Sequence, residues 1–349
     1  MDTWAKTTPE DREALFNQTA VTKGVSPEIV EKDFWVCWTL HQVFQLRDFP
    51  RLIFKGGTSL SKAFGIIQRF SEDIDLVINR HELGFNAEND PANQQRTKLR
   101  DRTVERLKNS CHKVIADDFV PKLQERIRSV IGGQGWALEI DPNAPDGDAV
   151  DFKYPAGIPG VLASGYIRRA VRLELGCRGD QIPCEEASLT PYVAEAFPDQ
   201  FQVPSVKVNA IGPERTFWEK ATILHREYYR AEAGKPVTER VFRHYHDVVV
   251  ISKHTRGLRA LKDLNLLQQV VEHKQHFFRE AGARYELAKK GTLRLAPGPR
   301  LEEDLRRDYE RMREMYFGSE PDFDTVMADI RQLERAFNAG NGSPSIAAG

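Results

Sequence analysis

The chain has 349 residues, enough for one large domain or two ordinary ones with a sizeable core. Its formal net charge is −1, and 40% hydrophobic with 29% charged residues is typical of a globular protein. A charge so close to zero excludes a uniformly basic nucleic-acid-binding protein. Any nucleic-acid contact must therefore depend on a local basic patch.

Targeting and cysteine patterns give little sign of a membrane or an oxidising compartment. No stretch approaches the ~20 apolar residues that a membrane span requires, and the first residues lack the apolar segment of a secretory signal. We therefore expect a cytoplasmic protein without a membrane partner. The four cysteines form no CxxC pair and no zinc-binding spacing. A disulfide between Cys177 and Cys184 is not expected in a reducing compartment.

The first predicted elements are a buried helix, a strand and a second helix. Ser26 is a candidate N-cap and Pro27 suits the first helical position, so a helix is predicted from there to about residue 44. The apolar run 52–54 predicts a short strand that ends at Lys55-Gly56-Gly57. Behind the glycines, apolar residues at helical spacing predict a helix that extends to Ile67.

A second strand and a long basic helix follow. Ile74, Leu76 and Ile78 alternate with Asp73, Asp75 and Val77, which predicts a half-buried strand. Residues 79–95 form a polar loop, and a helix is predicted over about 96–130. Ten Lys/Arg stand against five Asp/Glu between Arg96 and Arg128. This excess fits either a solvated helix face or a surface that follows phosphates.

The remaining pattern is strand-rich and then helix-rich. Strands are predicted at 137–140, 150–154 and 170–175, and helices at 214–230, 239–253, 258–288, 301–317 and 322–337. This order predicts an α+β fold. The expected parts are an N-terminal helical segment (1–50), a catalytic domain with a mixed sheet (51–210), a helical C-terminal domain (211–337) and a disordered tail (338–349).

Two features at 56–75 point to phosphate and metal chemistry. Gly56 and Gly57 allow backbone N–H groups to approach a ligand closely at a helix N-terminus, and Thr58 and Ser59 add hydroxyl donors. Asp73 and Asp75 lie two apart on a strand, so their side chains leave the same face about 7 Å apart. Such a pair is often merely solvated. Joined to the glycine turn by one helix, it favours a Mg²⁺ site completed by substrate phosphates.

Here the sequence resembles a known family. The order KGGTSL, a helix and RFSEDIDL is similar to the signature of the AbiEii-type abortive-infection toxins in the polymerase-beta-like nucleotidyltransferase superfamily. The resemblance implies a nucleotidyltransferase-type sheet, an NTP substrate and Mg²⁺. It includes Arg69 and Ser71 in the nucleotide site. Glu31-Lys32-Asp33 resembles the family's leading helix.

Two later motifs extend the resemblance. GPERTFWEKATILH resembles a motif that places a lysine, here Lys220, in the site, and RHYHD resembles a final motif ending in a functional aspartate, here Asp247. Helical spacing sets Lys220 on the inward side of its helix, where a lysine must either reach outward to water or meet an anion. The alternative for Asp247 is a surface ion pair with Arg243.

The two His pairs, His244 with His246 and His273 with His276, are interpreted as polar helix positions.

A third carboxylate is usual in that superfamily, and Glu174 is the candidate. It faces opposite to Val171, Leu173 and Leu175 on the predicted strand, so a simple ion pair with Arg172 remains an alternative. Nearby basic residues form a cluster that fits a triphosphate or a nucleic-acid backbone: Arg168, Arg169, Arg172 and Arg178.

The resemblance implies a toxin of a toxin–antitoxin system, with a role in phage defence and an antitoxin encoded nearby. It also implies transfer of a nucleotide to RNA, expected at the 3′ end of tRNA. Two alternatives stay open, namely transfer to a protein hydroxyl and a non-catalytic nucleotide- or RNA-binding module. The helix at 96–128 is the candidate RNA surface, with the arginines at 306, 307, 311 and 313 as the alternative.

Overall fold

The computed structural model describes residues 1–71, 73–144, 148–158, 168–316 and 320–339 of the chain. It divides into two units. Unit 1 comprises residues 1–64 and 71–211, and unit 2 comprises residues 65–70 and 212–349. Unit 1 holds a mixed sheet and unit 2 is helical, so the predicted α+β class is confirmed.

Unit 1 begins with three helices, which are α1 (Asp2–Ala5), α2 (Pro9–Lys23) and α3 (Pro27–Val43). The Ser26 side chain accepts a hydrogen bond from the Ile29 backbone N–H, as its N-cap position predicts. Helix α3 is buried along almost its whole length. Its tryptophans Trp35 and Trp38 pack on Phe152 of the sheet, with ring centroids 6.0 and 5.8 Å away.

Within the described residues, the sheet of unit 1 has seven strands in the order β3-β4-β5-β2-β1-β7-β6. In chain order they are β1 (Leu52–Lys55), β2 (Asp73–Ile78), β3 (Ala137–Ile140), β4 (Ala149–Lys153), β5 (Val171–Gly176), β6 (Cys184–Leu189) and β7 (Val206–Ile211). Strand β2 pairs antiparallel with β1 and parallel with β5. The sequence patterns predict the first five strands and do not predict β6 and β7.

The two faces of the sheet differ in polarity. One face carries buried apolar side chains such as Leu76, Phe152 and Leu173. Because side chains alternate along a strand, the intervening residues share the opposite face. On that face the pairing register sets Asp75 of β2 beside Glu174 of β5.

The remaining helices of unit 1 are α4 (Gly56–Thr58), α5 (Thr97–Val114), α6 (Val120–Ile131) and α7 (Tyr192–Ala196). Helix α4 passes into a single π-helical turn, Ser59–Ala63. The predicted helix through Ile67 is wrong. The helical backbone ends at Phe64, because Gly65 adopts a left-handed φ of 62°.

Unit 2 contains α8 (Pro213–Glu232), α9 (Phe242–Lys253), α10 (Thr255–Lys262), α11 (Leu264–Phe277), α12 (Pro299–Met312) and α13 (Phe323–Asn338). The single helix predicted over 258–288 is wrong. Asp263 separates α10 from α11 and caps α11 through the Leu266 backbone N–H. Of the predicted disordered tail, residues 340–349 lie outside the described residues. No described helix is long and apolar enough to cross a membrane.

Three consecutive buried charges on α3 connect it to separate segments of unit 1. The Glu31 carboxylate accepts hydrogen bonds from the backbone N–H groups of Gly157 and Ile158, at 2.5 and 3.3 Å. The Lys32 ammonium donates to the carbonyl oxygens of residues 168 and 170, next to the start of β5. Such groups are tolerated inside a protein only when their hydrogen bonds are made.

Asp33, the third of these charges, positions the turn that follows the glycines. Its carboxylate lies 2.7 Å from the Lys62 ammonium and accepts a hydrogen bond from the Tyr192 backbone N–H at 2.6 Å. The Lys62 ammonium also lies 3.8 Å from the centre of the Tyr192 ring. Burial lowers the pKa of Lys62, but the Asp33 carboxylate outweighs it, and the net pKa is raised. Lys62 is therefore charged, and it ties the π-helical turn to α3.

We predict that Asp33→Asn destabilises unit 1, because it leaves the Lys62 ammonium buried without its counter-charge. Removing one partner of a buried ion pair costs about 3–5 kcal/mol. Urea unfolding followed by tryptophan fluorescence measures the change. Glu195→Gln is the matched control, since Glu195 lies 3.9 Å from the same ammonium with a side chain that is 36% exposed. The control should cost about 1 kcal/mol or less. Equal stability of Asp33→Asn and wild type would contradict the prediction.

Candidate active site

Asp73 and Asp75 lie on the polar face of the sheet, near its middle. The register pairs Asp73 with Arg172 and Asp75 with Glu174 across β2 and β5, and Asp75 with Lys55 across β2 and β1. In-register side chains on neighbouring strands are close neighbours. The two predicted carboxylates therefore lie next to each other on one face, as the alternation of the strand predicts. Both are half-buried.

The glycine turn lies directly against this pair. Gly56 has φ = 83°, and a Cβ built on it would lie 1.9 Å from the Asp75 Oδ2 atom. The Asp75 carboxylate thus occupies the space that a side chain at position 56 would need. Thr58 donates its hydroxyl to the Asp73 carbonyl at 2.5 Å, and Ser59 donates to the Gly56 carbonyl at 3.0 Å. The Thr58 hydroxyl therefore fixes the turn against β2, and the Ser59 hydroxyl closes the turn itself. The role of both hydroxyls towards a nucleotide stays a prediction.

Glu174, the predicted third carboxylate, leans towards Arg172. The Glu174 carboxylate lies 3.5 Å from the Arg172 Nε atom, and its side chain is 52% exposed. Arg172 itself bonds more closely to Asp141 at 2.9 Å and to Asp151 at 3.2 Å. The ion pair with Arg172, left open by the sequence, is thus present. The role of Glu174 as a ligand or base stays a prediction.

The oxygen donors of this face fit a magnesium ion only in part. Within the described ranges, no group of three His, Cys, Asp or Glu side chains is arranged to hold a metal ion. Mg²⁺, however, commonly binds proteins through one or two carboxylates and takes its other ligands from water and substrate phosphates. Asp73 and Asp75 supply that smaller set. The residues present therefore fit a metal that arrives with a nucleotide.

Unit 2 contains a second group of the predicted residues, centred on Asp247. Arg69 donates two hydrogen bonds to the Asp247 carboxylate, from Nε to Oδ1 at 2.8 Å and from Nη2 to Oδ2 at 2.7 Å. The Lys220 ammonium lies 2.9 Å from the same Oδ2 atom. Lys220 is buried, so it does not reach outward to water. Asp247 is also fully buried, which excludes the exposed surface pair considered for it.

The charges in this cluster shift each other's protonation. Burial raises the pKa of Asp247, but Arg69 and Lys220 outweigh it and hold that pKa well below its usual range. Burial lowers the pKa of Lys220, and the Asp247 carboxylate offsets this only in part. Asp247 is therefore an anion throughout the physiological range. It anchors two cations that belong to distant parts of the sequence.

His244 joins this cluster although its pattern in the sequence predicted only a polar helix position. Its Nδ1 atom lies 3.3 Å from the Lys220 ammonium. Burial, followed by the positive charges of Lys220 and Arg243, lowers the pKa of His244 well below its usual range. The neutral ring can then accept a hydrogen bond from Lys220. The available signal was its position three residues before Asp247, which puts both on one helix face.

Two of the four arginines in the predicted cluster near Glu174 are held by other contacts. Arg172 is held by Asp141 and Asp151, and Arg169 donates to the Ile158 carbonyl at 2.7 Å.

Ser71 lies half-buried at the start of the segment that leads into β2. Cys177 is buried and Cys184 exposed, and both are free thiols.

The site motifs fall within a region that matches a known family. A family model described as "Nucleotidyl transferase AbiEii toxin, Type IV TA system" matches residues 40–329. The chain belongs to the AbiEii family. The resemblance seen in the sequence motifs is thereby confirmed, and the protein is a nucleotidyltransferase toxin of a toxin–antitoxin system. An NTP substrate and an antitoxin partner follow from that membership.

Other comparisons add little to this AbiEii assignment. A similar solved structure is MenT4, a nucleotidyltransferase toxin from Mycobacterium tuberculosis H37Rv. It is 15% identical in sequence, with 94% of this chain and 97% of that chain covered and a TM-score of 0.35. A likeness at this level supports no statement about the site. No curated protein matches the chain.

We predict that Asp247→Asn costs about 3–5 kcal/mol at neutral pH, because Arg69 and Lys220 would remain buried without their anion. A carboxylate with a depressed pKa contributes stability above its unfolded pKa, about 3.9 for aspartate, and loses it as pH falls towards the folded value. The gap in unfolding free energy between wild type and variant should therefore stay constant from pH 7 to 5. It should narrow only below about pH 4.

Urea unfolding at each pH measures that gap. Glu214→Gln serves as the control in the same unit, because Glu214 and its partner Arg256 are both partly exposed. Its cost should be about 1 kcal/mol or less. A gap for Asp247→Asn that is no larger than the control at pH 7 would show that the cluster adds no net stability.

A second prediction concerns Gly56→Ala, which should abolish nucleotidyl transfer by pushing the Asp75 carboxylate out of position. Gly65→Ala is the matched control. Gly65 also has a positive φ, but a Cβ on it would meet nothing within 4 Å. Both variants should lose about 1–2 kcal/mol of stability from backbone strain, and Gly56→Ala should lose more because its Cβ clashes with Asp75. Only Gly56→Ala should lose activity. Equal activity in the two variants would mean that Asp75 can adjust without consequence.

Proposed function

We propose that this toxin transfers a nucleotide from an NTP to an RNA acceptor with Mg²⁺, and that the acceptor is the 3′ end of a tRNA. The observation that carries the proposal is the β2 register, which sets Asp73 and Asp75 side by side against Gly56. Nucleotidyl transfer requires such a combination of carboxylates and accessible backbone in one place. Membership of the AbiEii family supports the same chemistry.

Asp73 and Asp75 are the side chains that would hold the magnesium ion. The bound ion would neutralise phosphate charge and hold the attacking and leaving oxygens in line. Gly56 and Gly57, which carry no side chains, let the backbone approach a phosphate closely. Glu174, half-exposed beside Asp75, is the proposed third carboxylate, as ligand or base. Its weak 3.5 Å contact with Arg172 leaves it able to turn away.

Lys220 is the proposed cation for the triphosphate. An ammonium carries three N–H donors. Asp247 and His244 accept two of them, at 2.9 and 3.3 Å. The two acceptors fix the direction of the third donor, and Arg69 holds the Asp247 carboxylate from its other side. We assign Asp247 and Arg69 as positioning residues, because both act through Lys220.

One experiment decides among the acceptors. The purified toxin is incubated with each of the four radiolabelled NTPs and Mg²⁺, with either total RNA or lysate protein as acceptor. Label in the tRNA band supports the proposal, and mapping by RNase digestion should locate it at the 3′ end. Label in protein alone would replace RNA by a protein hydroxyl as acceptor. Absence of transfer from every NTP would leave a nucleotide- or RNA-binding module.

We predict that Asp73→Asn and Asp75→Asn each reduce transfer about 100-fold or more, the scale on which single electrostatic groups act in such reactions. Melting temperature should not fall, because each change removes one of two neighbouring like charges. Asp151→Asn is the control, since Asp151 lies on the same face but shares Arg172 with Asp141. Activity retained by both aspartate variants would contradict the two-carboxylate site.

A further inference from the structure

The exposed face of α5 carries a row of cations. Lys98, Arg102, Arg106 and Lys113 are all exposed, and their spacing of four, four and seven residues places them on one side of the helix. At a rise of 1.5 Å per residue, the row is about 22 Å long. Asn109, also exposed, fills the longer interval. We call these four cations the α5 stripe.

The cations of the α5 stripe form no ion pairs with described residues, and the Arg106 guanidinium lies 5.9 Å from the centre of the Phe85 ring. Among the described residues, none of its four members lies within ion-pair distance of a carboxylate. Other basic residues of the same region are engaged. Arg100 donates two hydrogen bonds to the Gln94 carbonyl, at 3.0 and 2.7 Å. Arg126 bonds to Gln42 at 3.0 Å. Arg100, which belongs to the helix that the sequence suggests as an RNA surface, is thus occupied.

In the alternative basic surface at the C-terminal end of α12, three of the four arginines are held in ion pairs, and Arg311 pairs with no described carboxylate. Arg306 pairs with Asp324 at 2.5 Å, Arg307 pairs with Asp304, and Arg313 pairs with Glu310 at 3.2 Å. A phosphate would have to displace a carboxylate from each of these arginines. Exposed ion pairs cost little to break, but a paired arginine offers a phosphate less than an unpaired one. The unpaired stripe is therefore the better anion surface.

Helix α5 is attached to the start of β4, in the sheet that carries the candidate site of unit 1. His112 lies 2.8 Å from the Asp148 carboxylate, one residue before β4. The first residue of β4, Ala149, pairs in register with Glu174. A backbone held along the stripe would therefore be anchored to β4, which only β5 separates from β2.

We propose that the α5 stripe binds the sugar–phosphate backbone of the RNA acceptor. The proposal rests on the proposed function for its choice of RNA. The net charge of the whole chain is only −1, so long-range attraction supplies little and a local row of unpaired cations must supply the contact. Such contacts release counterions from the nucleic acid, so they make binding fall with added salt.

The test compares two triple variants with the same change in charge. Arg102, Arg106 and Lys113 are replaced by Gln in one, and Arg306, Arg307 and Arg313 in the other. Binding of a fluorescently labelled tRNA transcript is measured by anisotropy over a range of salt concentrations. The α5 variant should bind about tenfold or more weakly at low salt, and its log–log salt slope should fall by roughly 0.7–0.9 per lost phosphate contact. The α12 variant should match wild type.

Transfer assays separate failure of this proposal from failure of the proposed function. The α5 variant should show a raised KM for tRNA and an unchanged KM for NTP. Its melting temperature should not change, because the replaced side chains are exposed. If the wild-type toxin labels tRNA but the α5 variant binds tRNA with an unchanged salt slope, the α5 stripe is not the RNA surface, and the proposed function still stands. Label on protein only, with no salt-dependent tRNA binding by wild type, would overturn both.

Discussion

The register of β2 is the constraint on which the candidate site depends. Side chains alternate along a strand, so a shift of one residue would turn Asp73 and Asp75 into the apolar interior and bring Ile74 and Leu76 to the open face. Two neighbours hold the register, because β2 pairs antiparallel with β1 and parallel with β5. The apolar residues of β2 favour the observed register, since all of them are buried in it.

The buried charges of this protein determine which segments pair with each other, which apolar packing alone does not. Glu31, Lys32 and Asp33 each reach a separate segment of unit 1, and Asp247 joins two cations within unit 2. Apolar surfaces can slide against each other at small cost, whereas a buried charge accepts only the partner that satisfies it. These clusters therefore select one arrangement of loops among several that would bury equal apolar area. Charged side chains on the surface, such as those of α5, carry no such restriction.

Local features of the chain were predictable, and long-range ones were not. The cap at Ser26, the strand through Asp73 and Asp75 and the inward side of Lys220 follow from spacing alone. The partner of Arg69 does not, because Asp247 lies 178 residues further along the chain. The helix predicted through Ile67 failed because one left-handed glycine outweighs correct apolar spacing. Strand β6 is half-exposed and lacks an apolar pattern, so its sequence does not predict a strand. Strand β7 was missed although Val206, Val208 and Ala210 alternate with exposed residues.

The chain crosses from unit 1 to unit 2 at Gly65, returns at Ser71 and crosses again at Gly212. Residues 65–70, which include Arg69, therefore belong to unit 2 although they lie within the sequence of unit 1. A fragment that begins at residue 212 would retain Lys220 and Asp247. It would lose Arg69, which donates two hydrogen bonds to Asp247. Neither unit is a self-sufficient piece of sequence. The two units must therefore be expressed together, because a domain exchange at residue 212 would remove Arg69 from Asp247 and Lys220.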